Sequence, residues 1–343
     1  MTSGWSDLHV AVLGAGANGA SIGADLTAAG VDVTLVEQWP AHVEAMRERG
    51  LVVHMADGDL EVRPRVVHLC EVATLRHPFD VVLVVMKAYD TEWATQLVRP
   101  VLADAGVVAA VQNGMTTEAA ARVVGPERAV GTVIEVSATM TEPGIVHRHT
   151  PPAKSWFAVD AAPAGDDVAA LLAHSGRVER FDDIASAKWM KLVSNATTLV
   201  TTASLGLPML DAIAVPGMRA VMLRAGQEAL EVGRAAGREV LPIFGLAASD
   251  LDRPDRVVET MLDVLYDRFV VPGATTTVLQ DWRKGRRSEV DDLNGRVVAE
   301  GERLGVSTPV NRAIVELGHR IERGDLEPTP ANIGLLVAAV RDA

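Results

Sequence analysis

Three glycines near the N-terminus have the spacing of a phosphate-binding loop. The run VAVLGAGANG at residues 10–19 places them between a short apolar segment and the helix-forming ASIGADLTAAG. Gly14 permits a tight strand-to-helix turn, Gly16 lets the backbone approach a pyrophosphate, and Gly19 allows close helix–strand packing. Phosphates then lie at the helix N-terminus. The pattern predicts a dinucleotide site formed by Gly14, Ala15, Gly16, Ala17, Asn18 and Gly19.

An acidic residue ends the next apolar run, VDVTLVE at residues 31–37. Glu37 follows the glycines by about 20 residues, the usual place for a group that holds the adenosine ribose. A carboxylate there accepts a hydrogen bond from a free ribose hydroxyl and repels a 2′-phosphate. No cation stands at the next two positions, although Arg47 and Arg49 remain as more distant phosphate ligands. We therefore expect NAD(H) rather than NADP(H).

The segment at residues 184–203 is predicted to be a helix with a polar track. Lys191, Asn195, Thr198 and Thr202 are spaced by four, three and four residues, so they share one helix face. Such a track on a largely apolar helix faces either a wet cleft or a hydrogen-bonded interior. Periodicity alone leaves a third interpretation open, a solvent-exposed face on which Lys191 has no role.

Other candidate residues lie at strand ends and at a predicted helix start. Lys87 follows one apolar run, and Asn113 lies in the QNG that follows another. Ligands of open α/β sheets bind beyond the carboxyl ends of strands, but turn amides are common and QNG alone is a weak signal. Ser288 is predicted to cap a helix over residues 289–304. Glu289 then lies in the first turn, where acids also simply stabilise the helix dipole.

The elements that position these residues change character along the chain. Apolar runs of strand length alternate with helical patterns at residues 8–13, 31–36, 81–86, 107–111 and 129–136. Residues 144–160 suit extra edge strands. Helical patterns alone follow, at residues 184–203, 217–236, 255–268, 289–304, 310–323 and 331–341. We predict an α/β fold in which a Rossmann-type, doubly wound parallel sheet (1–182) precedes an all-helical domain (183–343).

Composition limits the classes of partner. A chain of 343 residues with 48% hydrophobic residues is large enough for two cores. The net charge of −13 opposes binding to nucleic acid and to anionic membranes. Cys70 is the only cysteine, so no disulfide and no cysteine metal cluster is expected. Because no leader pattern or long apolar run is found, we expect a cytoplasmic protein, and a homodimer as the commonest assembly.

The motifs, taken in order, resemble those of the ketopantoate reductase (2-dehydropantoate 2-reductase) family. They are GAGANG, VVMKAYDT, VQNGM, TEPGIVHR, AKWMKLVSNA, VLQDWRKGRRSEVDDLNG and GVSTPVN. The resemblance implies a Rossmann domain, a helical C-terminal domain and an active site in the cleft between them. It also implies that Lys191 is the general acid, that Glu289 helps to hold the substrate and that Asn195 binds it. Asn113 and Lys87 are implied to lie at the cofactor and the substrate.

The implied reaction reduces a 2-keto acid. A hydride that reaches the keto carbon turns the carbonyl oxygen into a developing alkoxide, which Lys191 can stabilise and protonate. Glu289 would orient Lys191 or accept a hydrogen bond from the product hydroxyl, while the amides of Asn113 and Asn195 fix the acid. The nicotinamide cofactor would supply the redox chemistry.

Three positions depart from the family pattern. The family has an asparagine four residues after Asn195 and another further on, where this chain has Leu199 and Met209. The serine before the L-Q-D segment is Thr277, which keeps the hydroxyl. A site that loses amides favours an apolar side chain, so a branched or aryl 2-keto acid is expected.

Two alternatives stay open at this point. One is 2-dehydropantoate 2-reductase itself, which makes pantoate for coenzyme A synthesis. The other is a regulator that binds NAD without turnover, and such a protein has no need for both Lys191 and Glu289.

Overall fold

The computed structural model describes residues 7–253 and 255–341. The chain divides into two compact units, Met1–Ile184 and Ala185–Ala343. The strands of the first unit are β1 His9–Leu13, β2 Asp32–Glu37, β3 Leu51–Met55, β4 Gly58–Val62, β5 Arg65–His68, β6 Phe79–Val84, β7 Leu102–Ala110, β8 Ala129–Glu135, β9 Ala138–Glu142, β10 Ile145–Arg148, β11 Trp156–Asp160 and β12 Arg177–Phe181. Its helices are α1 Ala17–Ala28, α2 Pro40–Arg49, α3 Thr91–Val98, α4 Thr117–Val124 and α5 Asp166–Leu172.

The main sheet has the strand order β12-β11-β8-β7-β6-β1-β2-β5. From β1 the chain builds outward through β2 and β5, then returns to the other side of β1 with β6, β7 and β8. This reversal between β1 and β6 is the switch point of a doubly wound sheet, where ligands bind in such folds. Residues 10–13 of β1 are fully buried, as expected for a strand covered on both faces. The predicted α/β Rossmann-type class is confirmed.

The sheet is mixed, whereas a parallel one was predicted. β11 runs antiparallel to β8, and β12 is parallel to β11. The connection from β8 to β11 contains strands and a single 3₁₀ turn over Pro152–Lys154 but no α-helix. Parallel pairing needs a crossover connection, usually a helix, so this strand returns in the opposite direction.

A second sheet of order β4-β3-β10-β9 packs beside α1 and was not predicted as a separate layer. A buried polar cluster joins it to α1. The Arg148 guanidinium of β10 binds the Asp25 carboxylate of α1 and donates to the Ser175 carbonyl at 2.6 Å. The Ser175 hydroxyl also donates to Asp25. Burial raises the pKa of Asp25, and the Arg148 charge opposes that rise. The buried Asp25 carboxylate is therefore stabilised by its ion pair with Arg148.

The described residues of the second unit form helices and turns without strands. The helices are α6 Ile184–Ala203, α7 Met209–Ile213, α8 Met218–Ala235, α9 Val257–Arg268, α10 Thr277–Arg283, α11 Asn294–Leu304, α12 Pro309–Glu322 and α13 Ile333–Arg341. Prediction placed α6 at these same residues and missed the short α7 and α10.

The helix predicted over residues 289–304 begins five residues later than expected, and Ser288 is not its cap. The Ser288 N–H and hydroxyl both donate to the Glu322 carboxylate of α12, at 2.8 and 2.7 Å. Glu289 therefore lies in a turn, in which its carbonyl accepts the Leu293 N–H at 3.0 Å. Leu293 has φ −101° and ψ −99°, which interrupts helical geometry before Asn294.

Candidate functional site

The residues predicted for the cofactor lie along one edge of the main sheet. Backbone hydrogen bonds align neighbouring strand ends there. The Gly14 N–H after β1 donates to Val36 O of β2 at 2.8 Å, and the Val111 N–H after β7 donates to Val84 O of β6 at 3.0 Å. The glycine-rich loop, the acid that ends β2 and the segments that follow β6 and β7 are thus brought to a common edge.

Different structural constraints favour glycine at the three positions of the loop. Gly14 has φ +94°, and a Cβ there would lie 2.5 Å from Met86 Cγ. A Cβ on Gly19 would lie 1.9 Å from Gly14 O, so close helix–strand packing requires both residues. A Cβ on Gly16 would meet no atom within 4 Å. The protein itself leaves this space open, as the approach of a pyrophosphate requires.

The start of α1 fits a bound diphosphate. Gly16 precedes α1 without a side-chain cap, and the first turn contains no acid. The first N–H groups of a helix have no partner within it and attract anions. In the described part of the chain, the buried Asn18 Oδ1 atom makes no hydrogen bond. These features match the donor and acceptor needs of a dinucleotide.

A buried histidine holds the loop in place, and sequence analysis missed it. The Gly144 N–H donates to His42 Nδ1 at 2.8 Å, so the ring proton is on Nε2, which donates to Ala15 O at 2.9 Å. Burial lowers the pKa of His42 despite the nearby Glu37 carboxylate, which keeps the ring neutral. His42 thereby ties the glycine-rich loop to the turn before β10.

Glu37 is fixed at the end of β2 and is only 5% exposed. Its Oε1 atom accepts the N–H groups of Gln38 and Trp39 at 2.9 and 2.8 Å. By helix geometry, Arg47 lies about 10 Å beyond Pro40, the first residue of α2. Its guanidinium binds the Glu71 carboxylate and lies 3.2 Å from the Val66 carbonyl oxygen.

A second residue that sequence analysis missed is Gln112. This buried amide donates to the carbonyls of Met86 and Lys87 at 2.7 and 3.1 Å, and its oxygen accepts the Thr91 hydroxyl at 3.0 Å. It therefore joins the loop after β6 to the loop after β7. The half-buried Lys87 and Asn113 are positioned by these two loops. The QNG motif contained the signal, although only its asparagine was singled out.

Helix α6 exposes very little of its surface. Between residues 186 and 205 every residue is buried except Lys191 and Leu199, which are half-buried. The hydroxyls of Thr198 and Thr202 donate to carbonyls one turn back, at 2.9 and 2.7 Å. This part of the polar track faces a hydrogen-bonded interior, one of the three environments considered from the sequence. Asn195 is also buried.

Lys191 has an aromatic ring beside it in space and a second lysine near it in the sequence. The Phe244 ring centroid lies 5.0 Å from Lys191 Nζ, within cation–π range. Lys188 lies one turn earlier on α6 and is buried, and burial lowers its pKa to about 7. Periodicity does not distinguish Lys188 from a solvated lysine, because its burial depends on tertiary packing.

The turn that contains Glu289 is attached to α6. Asn294 Nδ2 donates to Ala196 O of α6 at 3.0 Å and to Asn311 Oδ1 at 2.9 Å. Glu289 is 5% exposed. Burial and the Glu289 charge raise the pKa of Asp292 to about 6. The Glu289 charge therefore acts on Asp292 within this turn.

The remaining predicted substrate residues lie around α7 and α10. Met209 is buried, and its N–H donates to Ala274 O at 2.8 Å, which brings α7 beside the segment that leads into α10. Thr277 is exposed at the first position of α10. The preceding Thr276 caps that helix by accepting the Leu279 N–H at 3.3 Å.

Neither a metal-binding cluster nor a membrane-spanning helix is found within the described ranges. No group of three or more histidine, cysteine or acidic side chains is arranged to hold a metal ion in residues 7–253 and 255–341. Over the same residues, no helix has the length and apolar character needed to cross a membrane.

Comparison with known proteins defines the family. Residues 10–160 match ketopantoate reductase PanE/ApbA, and residues 183–322 match the C-terminal part of the same family. A 2-dehydropantoate 2-reductase from Caulobacter vibrioides is 31% identical over 320 residues, covering 90% of this chain and 97% of the relative.

Solved structures with similar folds agree with this result. A PanE/ApbA family ketopantoate reductase from Ralstonia eutropha has a TM-score of 0.79 and 28% identity, covering 92% of this chain and 98% of the other. D-mandelate dehydrogenase with NADH and anilino(oxo)acetate has a TM-score of 0.80 and 20% identity, with the same coverage of both chains. At this identity the similarity concerns the fold alone. The chain belongs to the ketopantoate reductase family and is an oxidoreductase that acts on a keto group with a nicotinamide cofactor.

Proposed function

We propose that this enzyme reduces a 2-keto acid with a branched or aryl side chain, using NADH and Lys191 as the general acid. One observation carries the proposal: a lysine and a leucine are the two half-buried residues in an otherwise buried stretch of α6. Lys191 offers a proton donor, and Leu199 offers an apolar contact where the family pattern has an amide. A buried amide site rejects apolar groups, whereas an apolar one accepts them.

In the proposed reaction, a bound reduced nicotinamide supplies the hydride. As the carbonyl electron pair moves onto the keto oxygen, the Lys191 ammonium donates its proton to that oxygen and becomes a neutral amine. Asn195 and Asn113 orient the acid substrate through their amides. Glu289 holds the substrate or orients Lys191. We place Gly14 to Gly19, Glu37 and Lys87 in contact with the cofactor, and Met209 and Thr277 with the substrate.

The preference for NADH is supported by the fixed carboxylate of Glu37. A 2′-phosphate would lie beside this buried charge, and Arg47 is already bound to Glu71 at a distance along α2. The D-mandelate dehydrogenase of similar fold was solved with NADH. A repulsion of about 1.4 kcal/mol gives a tenfold preference. The kcat/KM values for the two cofactors test this, and a wild-type preference for NADPH would contradict it. Glu37→Ala combined with Gln38→Arg should move the preference toward NADPH.

A second candidate substrate is 2-dehydropantoate, which the Caulobacter vibrioides relative is named for. Its hydroxymethyl group would meet Leu199 rather than an amide, so we expect a lower kcat/KM than for phenylglyoxylate or 3-methyl-2-oxobutanoate. Steady-state kinetics with the three acids separates the two functions. The highest kcat/KM for 2-dehydropantoate would favour the second.

The role of Lys191 is tested by Lys191→Ala. Loss of a positioned acid is expected to lower kcat by about two to four powers of ten. NADH affinity, measured by fluorescence, should stay near the wild-type value. Lys284→Ala is a matched control because Lys284 is an exposed lysine of the same unit. Wild-type turnover in the Lys191 variant would show that another group donates the proton.

We also propose a homodimer. The second unit exposes the apolar side chains of Phe269, Val271 and Leu335, at 47%, 56% and 48%. Two-fold dimers are the commonest closed assemblies of soluble proteins, and such an interface would cover these side chains. Light scattering on the purified protein gives the mass in solution, and a monomer at micromolar concentration would contradict the proposal.

A further inference from the structure

Phe244 stands out in the second unit because its backbone is strained. Its φ of 58° lies in the left-handed region, and it is the only non-glycine residue with positive φ among those described. A bulky L-residue is disfavoured there, because its Cβ crowds the following carbonyl. Glycine or asparagine would relieve the strain. Such outliers persist where the surroundings hold them, and they concentrate at functional sites.

The surrounding loop holds Phe244 in this conformation. Ile243 and Leu246 are each 5% exposed and anchor the loop on either side, and the Leu246 N–H donates to Ile243 O at 3.2 Å. A Cβ on Gly245 would lie 2.5 Å from Val264 Cγ1, so the backbone is pressed against α9. Phe244 itself is half-buried, between the buried Ile243 and the exposed Gly245. The loop therefore leaves part of the Phe244 ring accessible.

The ring lies beside the proposed proton donor. Lys191 Nζ is 5.0 Å from the ring centroid. A general acid must come within about 3 Å of the atom that it protonates, so the keto oxygen lies no more than about 8 Å from that centroid. A side chain attached to the keto carbon can span this gap. An aromatic substrate ring packs on another ring at centroid distances of about 4.5–7 Å.

We infer that Phe244 is a specificity-determining residue whose ring packs against the substrate side chain and selects a flat aryl group over a branched alkyl group. This inference rests on the proposed 2-keto acid reductase activity. Two aromatic rings attract each other beyond the effect of burial alone, through their quadrupoles. A branched alkyl group gains only the burial, so the ring favours the aryl acid.

The test compares phenylglyoxylate with 3-methyl-2-oxobutanoate in the wild type and in Phe244→Leu. Leucine keeps an apolar side chain and removes the ring. The ratio of the two kcat/KM values cancels any change in Lys191 that affects both substrates equally. We expect this ratio to favour phenylglyoxylate in the wild type and to fall about tenfold in Phe244→Leu. Phe244→Tyr should retain the wild-type ratio.

Phe181→Leu is the matched control, because Phe181 is a half-buried phenylalanine at the end of β12 in the first unit, and its ratio should not change. An unchanged ratio in Phe244→Leu would overturn the inference, even if both rates fell. A wild type that reduces neither acid with NADH or NADPH would instead overturn the proposed function, so the two failures are distinguishable. Circular dichroism and thermal melting confirm that each variant is folded.

Discussion

Lys188 gives a quantitative test of the burial along α6. Burial lowers the pKa of Lys188 to about 7 in the folded protein, whereas the group titrates near about 10.4 in an unfolded chain. Between these values the unfolded chain binds a proton that the folded chain lacks. The free energy of unfolding therefore rises with pH across this window. Below pH 7 both states carry the proton, and the contribution is constant.

The size of the effect follows from the two pKa values. At pH 7 the buried lysine lowers the free energy of unfolding by about 4 kcal/mol relative to an uncharged side chain. At pH 9 the cost is about 2 kcal/mol. The wild type should thus gain about 2 kcal/mol between pH 7 and pH 9 from Lys188. Lys188→Met retains an unbranched apolar side chain of similar length and should lose this gain.

Urea unfolding followed by far-UV circular dichroism measures the difference. We expect the free energy of unfolding of Lys188→Met to rise less between pH 7 and pH 9 than that of the wild type. Lys284→Met is the matched control, since Lys284 is exposed and should show the wild-type pH dependence. If the free energy of unfolding of Lys188→Met rises between pH 7 and pH 9 as much as that of the wild type, Lys188 is charged in the folded protein, which contradicts the lowered pKa.

Three further predictions concern buried charged or polar residues of the two units. Glu289→Gln keeps the side-chain volume and removes the charge, so kcat/KM should fall at least about tenfold while the melting temperature changes little; wild-type kinetics would remove Glu289 from the site. Arg148→Met leaves the buried Asp25 carboxylate without its cation and should cost about 3–5 kcal/mol in urea unfolding, most of which Asp25→Leu in the same chain should restore. Because folding lowers the pKa of His42, the contribution of neutral His42 to the free energy of unfolding is complete above pH 6.5 and is lost as the pH falls below that value. His42→Gln should weaken NADH binding and make the free energy of unfolding less sensitive to acid. An unchanged acid sensitivity would contradict the assignment.

The sequence predicted elements best where one physical signal dominates. The bounds of α6 were predictable because residues 184–203 carry a continuous apolar stripe without glycine or proline. The start of α11 was placed five residues early because Ser288 has the side chain of a helix cap. In the structure that side chain bonds Glu322, which lies 34 residues further along the chain and has no local signal.

The small sheet was missed for a similar reason. β4 (GDLEV) has the polar composition of a turn, and its pairing with β3 is decided by tertiary contacts. His42 and Gln112 also escaped prediction, since a buried polar residue is recognised only when its distant partners are known. The proposed proton donor Lys191 was singled out from its spacing with Asn195, but the neighbouring Phe244 was not predicted.

The contacts that hold the first helix in place have a consequence for synthesis on the ribosome. Arg148 and Ser175 bind Asp25 from 123 and 150 residues further along the chain, and Gly144 reaches His42 from 102 residues away. Chains emerge with the N-terminus first. The glycine-rich loop therefore leaves the ribosome long before the groups that fix it. A nascent chain that extends past Gly19 but ends before Ser175 contains all three glycines proposed to bind phosphate, yet leaves Asp25 without its full set of partners. We therefore expect nucleotide capture by this loop to begin only after the segment just before β12 has been made.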